Sequence, residues 1–173
     1  MKISTPLTAK NISYLNKGDK VLITGYIYVG RDAVHKKFSE IIAAGKNIPV
    51  SLEGQIIYYM GPTPAKPGKI IGSAGPTTSS RMDKHTPSLL KLGLKGMIGK
   101  GNRSVEVVRS IQKHKAIYFV TISGAGALLS KKIKLCEVIA YPELGPEALM
   151  KIYVEDFPAI VAIDSKGGNI YEN

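Results

Sequence analysis

The switch of hydrophobic period between residues 20–29 and 31–44 constrains the fold of this chain more than any other feature. Val21, Ile23, Tyr26, Ile27, Tyr28 and Val29 form a β-rich run after the turn signal Asn16-Lys17-Gly18-Asp19. From residue 31 onward Ala33, Val34, Phe38, Ile41 and Ile42 fall at helical spacing, and Gly45 ends the pattern. A strand-to-helix junction therefore falls at Arg31, where polar groups can reach into a cleft. The alternation continues. Residues 56–60 read as a strand, the proline-rich 61–68 as an irregular connection, and 69–71 as resumed extended chain. Thr86-Pro87 reads as an N-cap with proline at the first helical position, opening a short helix through Leu89, Leu90 and Leu92 that Gly93 ends.

Residues 94–98 read as a strand, and Ser104 as the N-cap of a helix carrying Val105, Val107, Val108 and Ile111. A buried-type strand follows at 116–122, then Ser123-Gly124-Ala125-Gly126-Ala127-Leu128. The last third holds strand-like pieces at 138–141, 148–154 and 159–163 and a turn at 164–169, which predicts a closing hairpin. The order is that of an α/β protein. At 173 residues and 44% hydrophobic, with no repeat or linker, the chain has material for one core, and 1–173 is expected to be a single domain.

No segment reaches the roughly 20 continuous apolar residues of a bilayer span, and residues 1–6 lack the apolar stretch of a secretory signal. A soluble, cytoplasmic protein is expected. Cys136 is the only cysteine, so this chain's thiolates alone can hold neither a disulfide nor an iron–sulfur cluster, and a buried, inert thiol is expected. His35, His85 and His114 stand far apart and outside any metal-ligand spacing, so no metal site is expected on this chain.

The formal charge of +11 suits an anionic substrate, an acidic partner or nucleic acid. The basic residues, among them Lys17, Lys20, Lys46, Lys66, Lys69, Lys113 and Lys115, are scattered, with no long block and no RNP-like aromatic motif. Most read as a solvated surface.

Several chemical motifs are approached and missed. Gly99-Lys100-Gly101 resembles the end of a P-loop, but Leu94 stands where the earlier glycine belongs and Gly101 where Ser or Thr should bind magnesium. Gly124-Ala125-Gly126 follows a strand as a dinucleotide fingerprint does, yet Leu129 takes the third glycine position. There is no G-x-S-x-G element and no C-x-x-C pair.

What remains is the run Gly75-Pro76-Thr77-Thr78-Ser79-Ser80-Arg81-Met82-Asp83, which packs hydroxyls, a guanidinium and a carboxylate into a stretch unsuited to a regular element. Arg31 and His35 upstream and Lys100 between glycines downstream add cationic groups. Together they could surround a small anion. Each has a structural alternative: Asp32 and His35 as capping groups of a first turn, Thr77, Thr78 and Ser79 as turn residues, and Arg81 as a surface partner of Asp83. The recurrence of such groups at successive strand ends, where α/β folds place ligands, favours a site.

In order along the chain, Gly30-Arg31-Asp32-Ala33-x-His35-Lys36, Tyr58-Tyr59-Met60-Gly61-Pro62, Gly72-Ser73-Ala74-Gly75-Pro76-Thr77-Thr78-Ser79-x-Arg81-Met82-Asp83, Ile98-Gly99-Lys100-Gly101, Phe157-Pro158 and Asp164 form one pattern. This pattern resembles the β subunit of class I fumarate hydratase and its relative, the L-tartrate dehydratase β subunit. The resemblance covers essentially the whole chain. It implies a swivelling β/β/α architecture, found as the C-terminal domain in related single-chain enzymes. It also implies one subunit of a hydro-lyase, reversibly hydrating fumarate to L-malate or dehydrating L-tartrate to oxaloacetate, and inactive alone.

The same resemblance implies a C4 dicarboxylate substrate and a [4Fe-4S] cluster carried by a partner α subunit in a hetero-oligomer, not ligated by this chain. Neither nucleic acid nor a membrane is expected as a partner. By motif matching, Arg31, Thr77, Thr78, Arg81 and Lys100 are the expected substrate contacts, with Thr77 and Lys100 in catalysis. Two carboxylates need cationic and hydroxyl donors, and arginine can hold one in bidentate fashion. The alternative of a different class, motivated by the charge, is a non-catalytic module binding anions or nucleic acid.

Overall fold

The computed structural model describes residues 1–122 and 124–172. Seven strands form one mixed sheet: β1 (Lys2–Ser4), β2 (Lys20–Val29), β3 (Ile56–Tyr58), β4 (Gly96–Gly99), β5 (Ile117–Val120), β6 (Ile133–Ala140) and β7 (Leu149–Ile163). β1 to β5 run parallel in chain order, while β7 runs antiparallel to β5 and to β6 at the far side. β7 also pairs with β2, from Lys20 opposite Ile160 to Val29 opposite Met150. The sheet thus closes on itself through β2, β3, β4, β5 and β7.

Residues alternate between two cores along each short strand. Ile56 and Tyr58, Ile98, and Ile117 and Phe119 enter one core with Ile23, Ile27 and Phe157. Ile57 and Tyr59, Met97 and Tyr118 enter the other, which the helices cover. Both faces of β3, β4 and β5 are therefore buried, which explains why these strands read as continuous apolar runs. The covering helices are α2 (Asp32–Ala43), contributing Val34 and Phe38, α3 (Thr86–Lys91), contributing Leu89 and Leu90, and α4 (Val105–His114), contributing Val107 and Ile111. The spacings of four in α2 and α4 put each apolar pair on one helical face. Two short helices, α1 (Ala9–Tyr14) and α5 (Gly126–Ser130), lend Ile12 and Leu129 to the first core. No helix is long and apolar enough to cross a membrane among the described residues.

The expected elements are present, with six differences, the first being that the strand expected at 138–141 is β6, which starts at Ile133 and ends at Ala140. Residues 69–71 join no strand; Ile71 instead anchors the loop by packing against the first core. Strand 56–60 shortens to β3, and Met60 makes an isolated bridge to Pro76. Thr86 is not an N-cap: it lies inside α3, where its hydroxyl donates to the Met82 carbonyl at 2.9 Å, and His85 holds the cap position. The pieces expected at 148–154 and 159–163 are one strand, β7, because partners on both sides carry it through. The 164–169 turn returns only as far as a single bridge between Ile163 and Asn169. Ser123, the first residue of the loop expected before α5, lies outside the described residues. Ser104 caps α4 as expected, accepting from the Val107 amide at 3.3 Å.

Candidate functional site

The site begins where β2, β3 and β4 end. Arg31, separated from β2 by Gly30 alone, is the N-cap residue of α2, and Lys100 follows β4 directly. Residues 75–82 are held against both strand ends by the backbone. The Thr77 amide donates to the Tyr59 carbonyl at 2.8 Å, the Ser79 amide donates to the Lys100 carbonyl at 3.0 Å, and Thr78 bridges Lys100 as a parallel pair. Ser79–Met82 then turns through a short 3-10 helix. The loop's irregular sequence is thereby fixed by groups on neighbouring strands.

Buried hydroxyls reinforce it. The Tyr58 hydroxyl donates to the Ala74 carbonyl, and burial pushes its pKa well above the usual phenol range. Ser79 lies fully buried, with its hydroxyl 2.8 Å from the Tyr118 hydroxyl and accepting from the Lys100 amide at 3.1 Å. Tyr118 also reaches the Gly101 carbonyl at 2.8 Å, and burial raises its pKa too. Both tyrosines remain neutral donors.

Arg31 and Thr77 meet across Gly61. A β-carbon on Gly61 would lie 2.7 Å from Arg31 Nη1 and 3.3 Å from Thr77 Cγ2, so only glycine leaves room for both. Arg31 Nη2 pairs with Glu147 at 3.2 Å, while its buried Nε has no partner among the described residues. Thr77 donates its hydroxyl proton to the Tyr59 carbonyl at 2.9 Å. Its lone pairs are left as the available feature.

Arg81 is half exposed and pairs with Asp32 at 3.2 Å, so its surface partner is the first residue of α2 rather than Asp83. This pairing brings Arg81 beside the Arg31 junction. Asp83 is engaged elsewhere, as the partner of Arg103.

His35 does not share an exposed face with Arg31. It is completely buried, and its Nδ1 lies 2.7 Å from the Arg31 carbonyl, so Nδ1 carries the proton and donates it. Burial is the main cause that lowers its pKa to about 4, and the imidazole is neutral near pH 7. It braces the backbone of Arg31.

Motif reading misses Arg103 because it is one cation among many, three residues beyond the glycine-flanked lysine. Its side chain is fully buried, with Nε on Asp83 at 2.6 Å, Nη2 on the Thr86 hydroxyl at 2.8 Å, and the guanidinium over the Tyr118 ring at 4.9 Å. Asp83 also accepts the Ser104 amide at 2.8 Å. This pair ties the 3-10 turn to the segment that follows Lys100.

Among the five candidate residues only Lys100 lines a groove of about 620 Å³ whose walls include Leu22, Val120, Leu128 and Pro158. Its lining is mostly apolar, and Arg31, Thr77, Thr78 and Arg81 lie outside it. No group of three or more His, Cys, Asp or Glu side chains is placed to hold a metal ion among the described residues. Cys136 sits half-buried in β6 against the Met150 sulfur at 3.7 Å, with its pKa raised by burial. It is less enclosed than expected, and nothing around it makes an iron–sulfur ligand set.

Two arginines, a lysine and two threonines thus gather at strand ends of a closed α/β sheet, the place where α/β folds hold ligands. The chain belongs to the family described as Fumarase C-terminus, whose model matches residues 1–173. It is 44% identical over 155 residues to "Fumarate hydratase class I, anaerobic" of Escherichia coli (strain K12), a match covering 88% of this chain and 28% of that protein. It is 38% identical over 164 residues to "Fumarate hydratase 2" of Leishmania major, covering 94% and 29% respectively. With "Putative L(+)-tartrate dehydratase subunit beta" of Methanocaldococcus jannaschii it shares 36% identity over 172 residues, covering 96% of this chain and 88% of that protein. The chain thus spans under a third of the fumarate hydratases and most of the tartrate dehydratase subunit.

Proposed function

We propose that this chain is the β subunit of a cytoplasmic class I-type hydro-lyase that reversibly hydrates fumarate to L-malate. The observation that carries the reading is the convergence of Arg31, Thr77, Thr78, Arg81 and Lys100 at the ends of β2 to β4 in a chain matched over its full length by the Fumarase C-terminus model. The swivelling β/β/α architecture belongs to the same reading. So does the hetero-oligomer with an α subunit, which is supported by the near-complete match to a protein named as a β subunit.

Arg31 and Arg81 bind the two carboxylates of the substrate. Arg31 is held by the brace of His35 on its carbonyl and by Glu147 on Nη2, which leaves Nη1 and Nε as donors. Arg81 offers the donors that Asp32 does not occupy. Lys100 balances the charge that develops on a carboxylate as the β-proton leaves. Thr77 and Thr78 position the substrate. Because the Thr77 proton is committed to Tyr59, Thr77 serves as an acceptor, and an unassisted threonine is too weak a base to take the proton finally. The base therefore comes from the partner, as does the Lewis acid, which a [4Fe-4S] cluster of the α subunit would supply.

The experiment is to purify this chain alone, add an anaerobically reconstituted α subunit, and follow fumarate, L-malate and L-tartrate. Silence from the lone chain and malate formation on mixing are expected. Full activity from the lone chain, or no complex and no gain with a cluster-loaded partner, overturns the proposal. Turnover of L-tartrate alone would select the second reading, an L-tartrate dehydratase β subunit, which the Methanocaldococcus relative favours. Tight, strongly salt-sensitive retention of DNA or RNA on filters with no hydratase activity would select a nucleic-acid module.

A further inference from the structure

Lysines that are scattered in the sequence gather in the fold. Lys66 and Lys69 from the proline-rich loop face Lys131 and Lys134, which flank the start of β6, across a cleft of about 600 Å³. No aspartate or glutamate lines this cleft, and none of the four ammonium groups forms an ion pair among the described residues. Lys134 Nζ donates to the Lys131 carbonyl at 3.0 Å, and the four exposed ammonium groups, though screened by water and salt, leave the concavity positive and open to an anion.

The walls are built rather than loose. Within the loop the Ser73 amide donates to the Thr63 hydroxyl at 2.7 Å, and the Thr63 amide donates to the Ser73 carbonyl at 3.2 Å. The loop is fastened to α5 by the Ala74 amide, which donates to the Gly126 carbonyl at 3.1 Å. A β-carbon on Gly126 would fall 2.1 Å from the Ser73 hydroxyl and 3.0 Å from the Gly75 amide, so the close approach of loop and helix requires glycine. Thr63 and Ser73 add hydroxyl donors to the lining, while the Ser130 hydroxyl donates to the Ala127 carbonyl at 2.8 Å.

We propose that this cleft binds a small anion bearing linked phosphates, separately from the dicarboxylate site. Lysine ammonium groups act as compact point charges toward phosphate, and the cleft contains no arginine fork of the kind that suits a carboxylate. Its volume lies in the range of small-molecule sites. The lining has no aromatic ring on which a base could stack, so binding resides in the phosphates rather than in any nucleoside attached to them. None of Arg31, Thr77, Thr78, Arg81 and Lys100 lines it, and the inference stands independently of the hydro-lyase reading.

The test is isothermal titration of the full chain, at low ionic strength, with inorganic pyrophosphate, ATP and sulfate. Pyrophosphate is expected to bind about tenfold or more tightly than sulfate, and Lys131→Gln/Lys134→Gln to weaken it by about tenfold or more. Because these side chains are exposed, the double variant should melt with the parent. Equal affinity for ATP and pyrophosphate assigns recognition to the phosphates, and tighter ATP identifies a nucleotide as the source. No binding, parity with sulfate, the same loss in the distant control Lys10→Gln/Lys46→Gln, or binding confined to long polyanions such as RNA overturns the proposal.

Discussion

Arg103 Nε lies 2.6 Å from Asp83 Oδ1, with the guanidinium fully buried between the loop that carries Thr77 and the segment that follows Lys100. A pair like this gains little over an apolar substitute, but it is costly to break from one side, because the remaining charge cannot be rehydrated. Asp83→Asn is therefore expected to cost about 3–5 kcal/mol of unfolding free energy. The double variant Asp83→Asn/Arg103→Met should recover part of that loss. Denaturant titration decides: an unchanged midpoint for the single variant would remove the pair from the scaffold of the site.

Gly61→Ala separates stability from function. Its new methyl meets the end of a flexible side chain, Arg31 Nη1, rather than backbone, so the chain can fold by moving the guanidinium. Little change in melting, within about 1 kcal/mol, and a raised KM for dicarboxylate in the assembled complex are expected. A wild-type KM would place Arg31 outside substrate binding.

Arg81→Ala removes an exposed ion pair with Asp32, worth about 0–1 kcal/mol to stability. Arg31→Ala removes a side chain that makes one ion pair, to Glu147. In the assembled enzyme each should lower kcat/KM by about tenfold to a hundredfold, the value of a charge-assisted contact. Lys100→Met keeps the aliphatic stem and removes the charge, and should lower kcat more than it raises KM. A change in KM alone would make Lys100 a uniform-binding residue.

The pH dependence of stability should carry the mark of His35. Its pKa falls from 6.5 in the unfolded chain to about 4 in the fold, chiefly through burial, with smaller lowering effects from His85 and Arg103 and opposing effects from the Arg31 carbonyl and Asp32. The unfolded chain then binds the extra proton between those values. The stabilisation is complete above pH 6.5 and declines as pH falls to about 4, by a total on the order of 3 kcal/mol. His85 and His114 are lowered in the same direction, so the contribution of His35 is the difference in slope between the parent and His35→Gln. Parallel profiles for the two proteins would contradict the buried neutral state.

Local pattern carried most of the fold. The run from Val21 to Val29 and the spacing of Val34 and Phe38 mark β2 and α2 because period and burial act along the chain itself. The continuity of β7 was hidden, since its middle is held by strands distant in sequence, and no local signal reports a partner. At the site, Arg31, Thr77, Thr78, Arg81 and Lys100 stood out as polar groups among glycines, and the fold gathers them at adjoining strand ends. Arg81 pairs with Asp32 instead of Asp83, whose carboxylate is taken by Arg103 and the Ser104 amide. Arg103 could not be told from a surface cation, for burial of a charge depends on Asp83, Thr86 and two tyrosine rings supplied from elsewhere in the chain.

The closure of the sheet by β7 has a consequence for how the chain is made. β2 is complete by residue 29, yet its antiparallel partner arrives only with residues 150–160. At ribosomal rates of about 5–20 residues per second, that edge of β2 waits on the order of ten seconds for its neighbour. Contacts of such long sequence separation also place the chain among slow folders. During synthesis the early strands present open backbone to other nascent chains, and protection by chaperones matters most before β7 emerges.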